Sequence, residues 1–143
     1  MPARDSILVG QLFMRLNQLK SVGVAGAAAA LIIGCVVAPV VNIANQPVLT
    51  NRAASLDEVG NAIVRAGVSL NMQMLKVEPG LITATYTPRG PSATMEIRYD
   101  TKQYGISYKD SQGLRYDGGE IHKKYNIWVR NLDSRIRAQL SAL

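Results

Sequence analysis

An uncharged apolar run at positions 22–35 most constrains what this chain can fold into, because such a run belongs to a membrane or a core. Arg15 and Lys20 precede it, and Gly34 is a small residue directly before Cys35. A basic start, a short apolar stretch and a small residue at the cut are typical of a secretory signal peptide. Residues 1–34 are therefore predicted to be a signal peptide, with translation starting at Met1 or at Met14.

The same run allows two other interpretations. Residues 21–41 carry no charge, and 21 residues are enough to cross a bilayer as an uncleaved helix. A buried helix in a cytosolic core is the third possibility. Positive charge stays on the cytoplasmic side. A cleaved signal and an uncleaved span would therefore both place the rest of the chain outside the cytoplasm.

Composition narrows the class of protein further. Cys35 is the only cysteine, so no disulfide can form within the chain, and the folded part must be held by its core. The 143 residues carry a net charge of +6, and residues 35–143 carry +4 from 13 basic and 9 acidic residues. These charges are interspersed, whereas a nucleic-acid-binding surface shows clustered lysine and arginine. We expect no nucleic-acid partner.

Residues 35–54 are predicted to be a flexible tether, and residues 55–143 a small folded domain. The tether holds Pro39, Pro47 and three asparagines and shows no helical period. Ser55 and Glu58 form the pattern of a capping box, which predicts a helix that ends near Asn71.

Four strands and a second helix are predicted to follow. Alternating patterns place strands at 72–77, 81–87, 93–99 and 104–109, the first with a bulge near Met74. The short connections indicate antiparallel hairpins. An apolar stripe centred on Trp128 predicts a helix over 120–140. The fold class is thus α+β: a helix, a four-stranded antiparallel meander and a C-terminal helix, with both helices on one face of the sheet.

Several strings together resemble a family of small, uncharacterised proteobacterial lipoproteins. Leu-Ile-Ile-Gly-Cys at 31–35 resembles the lipobox of such proteins, and Tyr-Asp-Gly-Gly-Glu-Ile-His-Lys-Lys-Tyr-Asn-Ile-Trp-Val-Arg-Asn-Leu at 116–132 resembles their C-terminal segment. Met72, directly before Gln73, departs from the tryptophan that such proteins often have at that position. The resemblance implies lipidation of Cys35 and, because Val36 is not an aspartate, the outer membrane. It implies no activity.

The candidate binding residues cluster in and after the loop at 111–119, because loops carry function more often than cores. They are Leu114, Arg115, Tyr116, Asp117 and His122. His122 has an alternative role as a cap at the start of the last helix. A second candidate is the polar face of the sheet, which carries Thr83, Thr85, Thr94, Glu96, Arg98, Ser107 and Lys109.

The sequence offers little for catalysis. A metal site needs several ligands in range, and His122 is the only histidine. Asp117 and Glu120 lie at a helix terminus, which suggests capping sooner than paired acid–base work. We therefore expect no enzyme activity, no metal and no cofactor.

The leading hypothesis is a non-enzymatic envelope lipoprotein that faces the periplasm, in the outer membrane sooner than the inner, and binds an envelope protein or a cell-wall component. The alternative is a single-span inner-membrane accessory protein with the same domain. A periplasmic hydrolase or ligand carrier is the remote third hypothesis.

Overall fold

The computed structural model describes Cys35–Leu143, and the predicted signal peptide lies outside these described residues. The predicted α+β class is confirmed. The elements in chain order are β1 (Val37–Pro39), β2 (Ile43–Pro47), α1 (Leu56–Ser69), β3 (Gln73–Glu78), β4 (Leu81–Tyr86), β5 (Ser92–Tyr99), β6 (Gln103–Gln112), β7 (Glu120–His122) and α2 (Lys123–Leu140).

The strands form a five-stranded antiparallel sheet in the order β2-β6-β5-β4-β3, and β1 pairs separately with β7. Strands β3 to β6 are the predicted meander, and β2 adds a fifth strand along the edge of β6. The two helices pack on each other and cover the apolar face of the sheet. The predicted two-layer arrangement is therefore confirmed, with one more strand in the sheet.

Helix α1 begins and ends where local chemistry directs it. The Ser55 hydroxyl accepts a hydrogen bond from the Glu58 amide at 3.2 Å, and the Glu58 carboxylate accepts one from the Ser55 amide at 2.9 Å. This capping box satisfies two free amides of the first turn. Asn71 lies in the left-handed region at φ 60°, which stops the helix as predicted.

The core lies between the helices and the inner face of the sheet. Ile82, Met95, Ile97 and Ile106 alternate along the strands with outward-facing polar residues, and each is at most 1% exposed. Met74 also faces inward, opposite Ala84, and its side chain packs directly on Gly67. A β-carbon on Gly67 would lie only 2.0 Å from the Met74 sulfur. The predicted bulge near Met74 is wrong, because the register of β3 shifts between Lys76 and Glu78 instead.

Trp128 does not lie at the centre of the core, contrary to the sequence prediction. It is half-buried and packs edge-on against Tyr86, with ring centroids 4.9 Å apart. Tyr125, Val129 and Leu132 of the same helix are fully buried instead. Because Tyr86 is the last residue of β4, Trp128 lies at the edge of the core and covers it there.

One buried polar contact fixes α2 against the sheet. The Tyr104 hydroxyl of β6 donates to the Asp133 carboxylate at 2.6 Å, and Arg137 lies 2.9 Å from the other oxygen of that carboxylate. Burial and the neighbouring carboxylate raise the pKa of Tyr104, so the hydroxyl keeps its proton. A buried charge is thereby paired on both of its oxygens, which removes the penalty of leaving it bare.

The prediction of a flexible tether at 35–54 is wrong, because this segment is built into the domain. Strand β1 pairs with β7, and β2 pairs with β6. Asn126 of α2 adds a side-chain clamp: its carbonyl oxygen accepts from the Val41 amide, and its amide donates to the Pro39 carbonyl, both at 2.9 Å. The folded domain therefore begins within two residues of Cys35.

We predict that Asn126→Ala will loosen this segment. The substitution leaves the Val41 amide and the Pro39 carbonyl without partners, and each loss costs about 1–3 kcal/mol where the group stays out of water. Hydrogen exchange of the amides between Val37 and Val41 should accelerate, and the free energy of unfolding should fall. The matched control is Asn131→Ala, an exposed asparagine on the same helix. Wild-type exchange as fast as that of a free chain terminus would contradict the clamp.

Candidate functional site

One end of the domain gathers the predicted binding residues, and we call it the Cys35 end. It comprises residues 35–39, the β4–β5 turn at 87–91, the loop at 113–119, β7 and the start of α2 at 123–128. The Val36 carbonyl accepts from the Lys123 amide at 3.0 Å, which ties the start of the described chain to α2. A β-carbon on Gly113 would lie 3.5 Å from the Cα of Pro91, so the loop and the turn touch.

The loop is closed by its own backbone. The Leu114 carbonyl accepts from the His122 amide at 2.8 Å, and the chain turns through left-handed conformations at Gly113, Arg115 and Gly118. Leu114 is only 1% exposed, so its predicted role as an exposed contact is wrong. It belongs to the hydrophobic core, although its neighbours in the sequence are polar.

Asp117 builds the turn that leads into β7. One of its carboxylate oxygens accepts from the amides of Gly119 at 3.0 Å and Glu120 at 2.8 Å. These two bonds stabilise the charged form and lower the pKa of Asp117 below its usual value. The carboxylate is thus engaged by its own loop.

His122 caps α2, as the alternative interpretation predicted. Its Nδ1 accepts from the Lys124 amide at 3.1 Å, and its ring is half-buried. A nitrogen used in this way satisfies one of the free amides at the helix start.

Arg115, Tyr116 and Asp117 are the predicted residues that are exposed, and of these Asp117 is engaged by its own loop. Tyr116 is 41% exposed and stacks on Tyr108, with ring centroids 4.0 Å apart and planes at 29°. Tyr108 in turn meets the edge of Tyr125 at 5.6 Å. Burial raises the pKa of Tyr125, whose hydroxyl has no hydrogen-bond partner among the described residues. This aromatic stack holds Tyr116 in a fixed position on the surface.

A wide cleft of about 660 Å³ lies at the same end of the domain. It is formed by the β4–β5 turn, the end of α1 and the first turns of α2. Tyr86 and Trp128 supply its aromatic wall, and Arg89 and Lys124 supply positive charge. The sequence prediction missed this cleft because it treated Trp128 as a core residue.

A second surface is the uncovered face of the sheet. It carries the predicted polar residues, including a Thr85–Thr94 hydroxyl pair at 3.0 Å and an Arg98–Glu96 ion pair at 2.7 Å. A groove of about 440 Å³ crosses it between β2 and β6, with polar side chains from Asn42, Asn45, Arg98, Gln103 and Ser107.

The groove depends on a close approach of two strands. A β-carbon on Gly105 would lie 3.0 Å from the Ile43 carbonyl, so any larger residue there would push β2 away by a few tenths of an ångström. The register of β2 shifts between Ile43 and Gln46, and Asn45 between them is left-handed at φ 53°. The sequence indicated the polar face but missed the groove, because β2 was not predicted.

Comparison with known proteins adds no relative. No family model, no curated protein and no solved structure matches this chain. The resemblance to proteobacterial lipoproteins therefore stays a prediction. Within Cys35–Leu143, no helix is long and apolar enough to cross a membrane. In the same range, no three histidine, cysteine, aspartate or glutamate residues are grouped as metal ligands would be.

We predict that acid opens the Asp117 turn. The pKa of Asp117 is lowered in the fold, so the turn is stabilised at neutral pH and loses this support as the pH falls through that lowered pKa. The amide NMR signals of Gly119 and Glu120 should shift together in that acidic range. Asp117→Asn keeps an acceptor oxygen but does not titrate, so the shared transition should vanish. A transition that survives in Asp117→Asn would contradict the assignment.

Proposed function

We propose that this protein is a non-enzymatic envelope lipoprotein, lipidated at Cys35, whose small domain faces the periplasm as a binding or accessory module. The observation that carries the proposal is the position of Cys35. The residue is exposed and lies two positions before β1, the strand that joins it to the domain. An unmodified free cysteine is among the most buried residue types. A sulfur outside the fold is available for lipid.

The extent of the fold favours a lipid anchor over an uncleaved span. Residues Val37 to Val41 are bonded to β7, Gly119 and Asn126, so they are committed to the domain. The uncharged run left for a span is then 21–36, or sixteen residues. As a helix these would reach about 24 Å, short of the roughly 30 Å hydrocarbon layer. We favour the outer membrane on the identity of Val36 alone.

The engaged polar groups of the loop support a non-enzymatic role. A general acid or base must be able to reach a substrate proton. The Asp117 carboxylate is held by two backbone amides, and His122 Nδ1 is held by the Lys124 amide. Asp117 is one of the two carboxylates that the sequence offered for acid–base chemistry, and His122 is the only histidine of the chain; both serve the backbone instead.

We place the partner contact on the groove between β2 and β6. Its amide, hydroxyl and guanidinium groups can donate to and accept from a polar partner, such as a protein loop or a cell-wall component. The edge strand β3 is a poorer choice: Lys76 and the register shift beside it are features that discourage the addition of another strand.

Cys35→Ser tests the anchor. In cells fed a labelled fatty acid, the wild-type protein should carry the label, and Cys35→Ser should lose it and keep its leader, with a larger apparent mass. Ala44→Ser, an exposed position in β2, is the matched control and should behave as the wild type. Unchanged size together with an unlabelled wild-type protein would remove the lipoprotein proposal and favour the single span.

Site-specific crosslinking tests the groove. A photoreactive residue at Ser107, in the groove, should form an adduct of defined mass in intact envelopes, and Arg98→Ala should reduce its yield. The matched control is Ser134, an exposed serine on α2. Equal adducts at both positions, or none at Ser107, would place the partner contact elsewhere.

A further inference from the structure

The two ends of the domain differ in charge. The Cys35 end carries four basic side chains against two acidic ones in its turns, loop and helix start: Arg89, Arg115, Lys123 and Lys124 against Asp117 and Glu120. Within Cys35–Leu143, the ion pairs of the structure involve none of these six. The cations of the Cys35 end are therefore open to an external anionic partner.

The opposite end, which we call the far end, has no excess of positive charge. It comprises residues 49–58, the end of the β3–β4 hairpin at 76–81, the β5–β6 turn at 100–102 and the last turn of α2 at 137–140. The Tyr99 amide donates to the Gly80 carbonyl at 2.9 Å, which joins the two hairpins there. This end carries four basic and four acidic side chains: Arg52, Lys76, Lys102 and Arg137 against Asp57, Glu58, Glu78 and Asp100. Three of its cations are already paired, Arg52 with Glu58, Lys76 with Asp57 and Arg137 with Asp133. A negative surface would thus attract the Cys35 end of the domain more than the far end.

The Cys35 end also exposes apolar side chains beside its cations. Val36 is 41% exposed, Tyr116 41% and Ile127 52%. Ile127 lies one helical turn after Lys123 and Lys124, so an apolar side chain and two ammonium groups share a face of α2. Aromatic and apolar side chains mixed with lysine are typical of surfaces that rest in the headgroup layer of a membrane.

The path from Cys35 to this surface is short. Two extended residues span at most about 7 Å, and the Cα atoms of paired strands lie about 5 Å apart, so Cys35 lies within about 12 Å of His122, the residue paired with Val37. The β1–β7 pairing and the Asn126 clamp remove the freedom that a flexible tether would give. Electrostatic attraction to a surface acts over about 8 Å at physiological ionic strength. The lysines that start α2 follow His122 directly, so a membrane that holds Cys35 would lie close enough to attract them.

We propose that the Cys35 end docks on the anionic lipid headgroups of the membrane that holds the anchor, so that the domain stands in one orientation with its far end outward. This inference rests on the proposed lipid anchor. The partner is the lipid surface itself. The Cys35 end is both cationic and apolar, and a few residues connect it to the lipid anchor at Cys35. The sheet groove then faces sideways, clear of the bilayer.

Fluorescence quenching in vesicles tests the orientation. The acylated protein is reconstituted into phosphatidylcholine vesicles with or without phosphatidylglycerol, together with a lipid whose headgroup carries a quencher. Because acylation consumes the only native thiol, a second cysteine takes one fluorophore, either at Ile127 or at Thr101 in the β5–β6 turn of the far end. The Ile127 label should be quenched with phosphatidylglycerol present, and the Thr101 label should not.

Charge variants test the cause. Lys123→Gln with Lys124→Gln should shift the balance between docked and undocked domain by about 10–30-fold, since one lysine at an anionic surface contributes about fivefold. The quenching at Ile127 should fall accordingly. The matched control, Arg52→Gln with Lys102→Gln at the far end, should leave it unchanged.

The outcomes separate this inference from the anchor. Acylated protein that floats with the vesicles but shows equal quenching at both labels overturns the docking and leaves the anchor standing. If the label at Ile127 is shielded from solvent in native envelopes but not in pure lipid vesicles, the Cys35 end contacts a protein. This result also overturns the docking on lipid. If the protein purified from its native membranes carries no lipid and stays off the vesicles, the anchor and the docking are overturned together.

Discussion

The side-chain amide of Asn126 is the contact on which the arrangement of this domain depends. It donates to the Pro39 carbonyl and accepts from the Val41 amide, and so it holds the connection between β1 and β2 against α2. With that connection fixed, β1 reaches β7 and β2 reaches β6. The groove on the sheet and the cationic surface beside Cys35 both exist because of this placement. An amide suits the task, since one group supplies a donor and an acceptor side by side.

A chain with a single cysteine outside its fold has to be held together without disulfides. The domain does this with a filled core and one buried ionic contact, in which Tyr104 and Arg137 share the Asp133 carboxylate. The Tyr104 bond locks the helix to one position on the sheet, because any shift would take from the buried carboxylate its hydrogen bond to β6. The polar groups of the loop do similar work on a smaller scale, which is why Asp117 and His122 look like site residues in the sequence and act as structural ones in the fold.

The sequence predicted the elements whose causes are local. The capping box at Ser55, the stop at Asn71 and the alternation along β4 and β5 are each decided by residues within a few positions of one another. Strand β2 was missed because its partner is 63 positions away at Ile106 and its own residues include Pro47 and Asn45. Proline is tolerated there because β2 is an edge strand. The candidate site fared likewise: Arg115 and Tyr116 were placed on the surface correctly, while Leu114 was misplaced and the Trp128 cleft was missed.

Helix α2 spans the domain of residues 35–143 from one end to the other. Its first residue is bonded to Val36, and just past its last turn the Ser141 carbonyl accepts from the Asn51 side chain, so it runs from one pole of the domain to the other. Its 18 residues at 1.5 Å each make a rigid spacer of about 27 Å. A fluorescent protein joined after Leu143 would therefore lie about 27 Å farther from the membrane than Cys35 if α2 stands upright. Energy transfer from that fluorescent protein to a dye in the membrane would then report the tilt of the domain in a living cell.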